Sequence, residues 1–324
     1  MARQPAEASQ EIVNHYRVAF PQLRLSRDGL IPSAELRWNN VYQFDQTAAV
    51  LQNTYDLTSK ISRNSVPRPP TAGQQVEKEV VRAWNLWLRS HHAFFCLFAL
   101  LAHSYERMIQ TAKVLNGDGL MHWAHLASRL WAASGALMRY GLDFQPCHEI
   151  YCERIRPEMP AGFSGFWLRE WIQVKSASSS WQTLDHNGSE FGDFATRASS
   201  NVSAGRSHYH RYHAEVMTTA VLDGKSLLQV YKSQLDGPLS ISEAQFSSYD
   251  EWFRVLRMDN LSRRDFVNST CRIIREVVAD LTTGTGLDHR TLLDIAGGFD
   301  SAIRVFGEWL RPVPPAGKFY RNPF

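Results

Sequence analysis

Three histidines fall within six residues in Arg206-Ser207-His208-Tyr209-His210-Arg211-Tyr212-His213. An imidazole exchanges protons near neutral pH and, when neutral, binds a transition metal or a haem iron. On a helix, residues three apart share a face, so His210 and His213 would project together and His208 elsewhere. A second pair, His91-His92, sits just before Ala93-Phe94-Phe95-Cys96-Leu97-Phe98, a run apolar on nearly all faces. Polar rings inside such a helix are costly unless hydrogen-bonded or used. The plain alternative is a satisfied core histidine, a surface histidine and a polar helix start.

Other chemistries find less support. Thr282-Thr283-Gly284-Thr285-Gly286 follows a helical pattern and matches no phosphate-binding loop, so it reads as a helix end. Gly162-Phe163-Ser164-Gly165 is not a GxSxG elbow. His148 with Cys152, and His92 with Cys96, stand four apart, but four zinc ligands cannot be gathered at credible spacings. There is no HExxH, no set of mid-helix carboxylates for a di-iron centre and no Asp-rich cluster for magnesium diphosphate.

Composition narrows the class. Hydrophobic residues are 44% and charged residues 21% of 324, which fits a soluble globular protein. The net charge of +3, without a Lys/Arg block, argues against nucleic acid and anionic membranes as partners. Ten tryptophans raise the aromatic content to 12%, enough to build a core and to line a pocket for a flat ligand. Four cysteines without a CxxC pair do not make a disulfide scaffold. No apolar leader follows Met1, and the longest apolar run, 93–102, is too short to span a bilayer, so a cytoplasmic location is expected.

The elements that must hold these residues read as helices. A short amphipathic helix is predicted over 11–20 and another over 44–61. The Pro-rich stretch 63–73 reads as a linker, so 1–75 form an N-terminal arm and 76–324 a helical domain. Further helices are predicted over 75–115, 121–140, 167–184, 208–222, 226–235, 242–255, 262–283 and 290–310. The Gly-, Ser- and Asn-rich stretch 187–207 reads as loop, and no strand series is found. The expected fold is all-α, a helical bundle.

The order of three stretches resembles the haem-dependent aromatic oxygenases, the superfamily of tryptophan 2,3-dioxygenase and the bacterial L-tyrosine hydroxylases. Leu86 to Phe94, with His91-His92 at its centre, resembles the distal-histidine helix of the dioxygenases. Ala133-Ser134-Gly135 is similar to their Pro-Ala-Ser-Gly stretch, where a helix passes close to the haem. Arg211 to Met217 resembles the proximal segment, with a Gly-containing turn about ten residues after His213. The stretch 156–165 resembles the tyrosine-hydroxylase branch more than the dioxygenases.

The resemblance implies a haem b between helices, with iron on His213, or on His208 or His210, and Ser134 and Gly135 against the porphyrin. It implies His92 as the distal proton shuttle, with His91 second. Arg129, Arg139 and Ser226 are candidates for holding an amino-acid substrate, and Phe163, Phe166 and Trp131 for the pocket wall. A related 3-methyltyrosine hydroxylase carries a Cys four residues after its proximal His, for a thioether to haem; Met217 stands there in this chain, so a non-covalent haem is expected. The implied reaction is ortho-hydroxylation of L-tyrosine or a related aromatic amino acid to a catechol such as L-DOPA, in natural-product biosynthesis. Hydrogen peroxide is the expected oxidant, with dioxygen the alternative. The arm suggests exchange between two subunits of a homodimer. Two competing readings remain: a non-haem helical scaffold or interaction protein, and a mononuclear metalloenzyme using His208, His210 and His213.

Overall fold

The computed structural model describes residues 18–21, 23–26, 29–32, 76–159, 162–184, 191–221, 225, 227–233, 242–253, 255–258 and 261–310. Among them the chain forms an all-α bundle with four short strands. The strands are β1 (Val18–Pro21), β2 (Leu23–Ser26), β3 (Gly29–Pro32) and β4 (Val255–Met258). The first four helices are α1 (Val76–Lys113), α2 (Gly117–Tyr140), α3 (Cys147–Ile150) and α4 (Arg169–Gln182). They are followed by α5 (Phe191–Ala220), α6 (Leu227–Lys232), α7 (Glu243–Trp252), α8 (Arg263–Thr283) and α9 (His289–Leu310). The expected helix over 44–61, the linker and both tails lie outside the described residues.

The apolar run of α1 is buried apart from a partly covered Ala99, as a helix must be when neighbours cover every face. α1 packs on α2, α4 and α8, while α2 packs on α1, α5 and α9 and so forms the centre of the bundle. α2 starts where Asn116 accepts a hydrogen bond from the Gly119 amide at 2.9 Å, an N-cap. Small residues set how closely α2 and α5 approach. A Cβ on Gly135 would lie 2.8 Å from the Tyr209 Cα, and one on Gly205 would lie 2.1 Å from the Ser128 carbonyl oxygen. The two helices therefore cross nearly backbone to backbone.

α5 corrects the expected loop over 187–207, since helix begins at Phe191. Ala195, Ala198, Val202, Gly205, Tyr209 and Tyr212 are buried at spacings of three and four. Packing on α2 outweighs the weak helix propensity of the intervening Ser, Asn and Gly residues.

The short strands were not expected. β2 and β3 form an antiparallel hairpin, and β1 runs parallel to β4 from Val18↔Val255 to Pro21↔Met258. Four residues are too few for an alternating pattern to stand out, and pairing supplies the backbone partners. Of the helix expected over 11–20, residues 11–17 lie outside the described residues and Val18 to Phe20 are strand. A residue before proline is biased away from helical geometry, and pairing with β4 extends the strand. Among the described residues no helix is long and apolar enough to cross a membrane.

A buried ion network ties α4 to α7 and β4. Arg257 bonds Asp250 at 2.6 and 3.0 Å and also pairs with Glu170. Arg169 bonds the same Asp250 at 3.0 Å and pairs with Glu243. Burial alone would lower the Arg257 pKa, but Glu170 and Asp250 more than reverse this and hold the guanidinium charged.

Candidate active site

α1, the end of α2, the segment after α3 and α5 enclose a cavity of about 360 Å³. That is within the size range of cofactor and small-molecule sites. The walls are mostly aromatic and aliphatic, with Trp87, Phe94, Phe163, Phe166, Trp171 and Tyr209 among them. Three thioethers, Met138, Met159 and Met217, also face it, and Arg156 is the one Lys, Arg, Asp or Glu in the described lining.

His91 lines the cavity and His92 does not. The Nδ1 of His91 lies 2.8 Å from the Trp87 carbonyl oxygen, which can only accept, so this nitrogen carries the proton. Nε2 is then left with its lone pair. The ring is clamped between Phe253, stacked at 4.3 Å, and Trp87 at 4.2 Å. Burial lowers its pKa to about 3, against a partial rise from the Trp87 carbonyl, so the ring is neutral across the physiological range.

His92, the first choice for a distal shuttle, is turned into the core. It is 2% exposed, and its Nε2 donates to the Phe253 carbonyl at 2.7 Å. Burial lowers its pKa to about 4. It fixes the Phe253 backbone, and through the Phe253 ring it backs His91.

α5 brings His210 and His213 to the cavity and turns His208 away. His208 lies 3.3 Å from Arg290 and 3.8 Å from Asp294 on α9. His210 and His213 keep solvent access, yet the protein around them lowers both pKa values. Burial is the main cause, with Arg206 adding to the effect on His210 and His210 to that on His213.

The other expected residues divide. Phe163 and Phe166 line the cavity. Trp131 stands one layer behind, 5.1 Å from Tyr209, with its indole N–H bonded to the Tyr105 phenol. Ser134 is fully buried and donates to the Leu130 carbonyl at 2.7 Å. Gly135 abuts α5 and serves the helix crossing, and neither residue lines the cavity. Arg129 pairs with Asp300 at 3.0 Å, away from the cavity. Arg139 pairs with Glu215 at 2.9 Å and borders a second cavity of about 290 Å³, where Glu79, Arg82 and Asp143 also stand. Ser226 lies outside the described residues.

Arg156 was not among the expected substrate contacts. It follows a π-helical turn, Tyr151–Ile155, and opens the 3-10 turn Arg156–Glu158. Such π-turns often re-aim side chains at functional sites. His148 and Cys152, noted for metal-like spacing, instead bond the Ala220 carbonyl at 3.1 and 3.2 Å. That carbonyl ends α5, where helix carbonyls lack partners, so the pair caps the helix that carries His210 and His213. Among the described residues no three His, Cys, Asp or Glu side chains gather as a metal ion would require, and His208 faces α9 while His210 and His213 line the cavity.

Among its described lining residues the cavity offers neutral imidazoles from two helices, apolar walls and one guanidinium. This is the donor set a b-type haem asks for. Among the described residues the buried indole N–H groups of Trp87 and Trp171, both on residues of the wall, also have no hydrogen-bond partner, and a ligand oxygen could satisfy such a donor.

Two comparisons bear on this site. No curated protein matches the chain. Residues 40–177 match the family model of SfmD 3-methyl-L-tyrosine peroxygenase, a segment that contains His91, Arg156 and Phe163 and stops before α5.

Proposed function

We propose that the cavity holds a haem b and that the protein is a peroxide-using hydroxylase of L-tyrosine or a closely related phenolic amino acid. The product would be a catechol for natural-product biosynthesis. The observation that carries this reading is the pairing of His91 on α1 with His213 on α5 across one aromatic cavity, both with pKa values lowered by burial. The match to a peroxygenase family over residues 40–177, which ends within α4, supports the choice of oxidant.

His213 would hold the iron, with His210 the alternative ligand one turn before it. Haem bound there supplies the metal at which peroxide is split and its oxygen passed to the ring. His91, on the cavity wall with Nδ1 bonded to the Trp87 carbonyl, would use its Nε2 lone pair to take a proton from one peroxide oxygen and return it to the other. Arg156 replaces Arg129 and Arg139 as the group to meet a carboxylate, from the amino acid or from the haem. It is held beside the cavity by a bond to the Lys225 carbonyl at 3.2 Å, and the guanidinium fork suits a carboxylate. The aromatic walls offer flat apolar surfaces against which the phenol ring would lie.

Haemin titration of the purified protein tests this. A Soret band that saturates at one haem per chain and shifts with cyanide is expected. His213→Ala should lose it or weaken binding by at least about 10–100-fold, the usual cost of removing even an outer partner of a metal ligand. A protein that stays colourless would leave a helical scaffold as the better reading. Unchanged haem in His213→Ala would move the ligand to His210.

A further inference from the structure

Aromatic rings continue from the cavity wall to a second, remote groove. Trp171 and Tyr209 line the cavity, and their ring centroids lie 6.0 and 5.1 Å from that of Trp131. Trp131 is buried, and its Nε1 donates to the Tyr105 phenol oxygen at 3.2 Å. Tyr105 borders a groove of about 260 Å³ between α4 and α5. Among the described residues of that groove Arg206 is the one charged side chain. Trp and Tyr are among the side chains that release single electrons most readily. Electron tunnelling falls steeply with distance, so short ring-to-ring steps outrun one long step.

We infer that Trp171, Trp131 and Tyr105 form an electron relay that gives the protein a second activity. When no phenolic substrate fills the cavity, peroxide is reduced there at the expense of a small anionic reductant at the remote groove. The relay rests on the haem and peroxide reading above.

Peroxide takes up two electrons and two protons, its O–O bond breaks, and two waters form. Each electron leaves Trp171, whose indole carries the positive charge without losing a proton. Trp131 refills Trp171, and Tyr105 refills Trp131 as its phenolic proton passes to groove water. The reductant returns an electron and a proton to Tyr105. With ascorbate as donor, one ascorbate monoanion, one peroxide and one proton give dehydroascorbate and two waters. Arg206 favours such an anion in the groove.

The test uses the haem-loaded full chain with peroxide and ascorbate and without aromatic substrate. Ascorbate oxidation is expected, and a spin trap read by peptide mass mapping should label Tyr105. Tyr105→Phe should cut ascorbate oxidation roughly tenfold or more, shift the label to Trp131 and Trp171, and leave the Soret band and the initial hydroxylation rate unchanged. Trp131→Phe keeps a ring in the core and should stop the label at Trp171, which decides the matter if Tyr105→Phe does not fold. Equal ascorbate rates in wild type and Tyr105→Phe, or a wild type unlabelled at Tyr105, would overturn the relay alone. A chain that takes up no haemin would overturn it together with the haem reading.

Discussion

Adjacent histidines on one helix meet different surroundings because each residue turns the helix by roughly 100°. His91 thus joins the cavity wall while His92 enters the core. Substitution should separate them. His91→Ala is expected to lower kcat by about 10²–10⁴-fold, the usual worth of a positioned proton-transfer group, with haem retained. His92→Ala should change kcat per folded molecule little and instead lose about 1–3 kcal/mol of stability, because the Phe253 carbonyl is left buried without its donor. Steady-state rates and urea titrations of both variants check this, and equal kcat losses would return His92 to the chemistry. The shared face of His210 and His213, with His208 off it, could be read from spacing, since helical period is local information. Arg156 could not, because its place depends on a π-turn that no simple period encodes. Gly135 shows the converse: a motif can be visible in sequence while its packing partner, Tyr209, is not.

Among the elements, α1, α2, α8 and α9 were legible because each has a strong apolar period and clear ends. The first half of α5 was hidden by residues of poor intrinsic helicity, and only its contact with α2 makes it helix. The strands were hidden because β1 and β4 find each other across more than two hundred positions. The ion network of Glu170, Asp250, Arg169 and Arg257 was equally invisible, yet it fixes two cavity walls. Trp171 directly follows Glu170, and Tyr249 directly precedes Asp250. Removing one partner leaves a buried charge uncompensated, so Glu170→Gln should cost about 3–5 kcal/mol. Chemical denaturation measures that loss. A change below about 1 kcal/mol, the range of exposed pairs, would mean that solvent reaches the network.

For the whole molecule, the largely buried imidazoles set how stability depends on pH. His91, His92 and His103 have pKa values of about 3, 4 and 3, against an ordinary 6.5, and burial is the main cause for each. His103 must also stay neutral to accept the Trp309 indole N–H at 2.8 Å. The unfolded chain binds protons at these rings as pH falls through about 6.5, whereas the folded chain does not until about 4 or below. Their contribution is therefore fully present above about 6.5 and is lost as pH falls towards 4. Each fully shifted ring adds a slope of up to about 1.4 kcal/mol per pH unit. Glu106 and Glu276, whose carboxyl pKa values burial raises, act in the opposite sense and blunt the lower end of the fall. Urea unfolding of the haem-free chain should give a nearly constant free energy from about pH 8 to 7 and a marked drop between about pH 6.5 and 4.5. A level profile down to about pH 4.5 would mean that these rings are solvated in the native protein. His91 would then gain a proton only a little below neutral pH, and its Nε2 would lose the free lone pair that proton transfer requires.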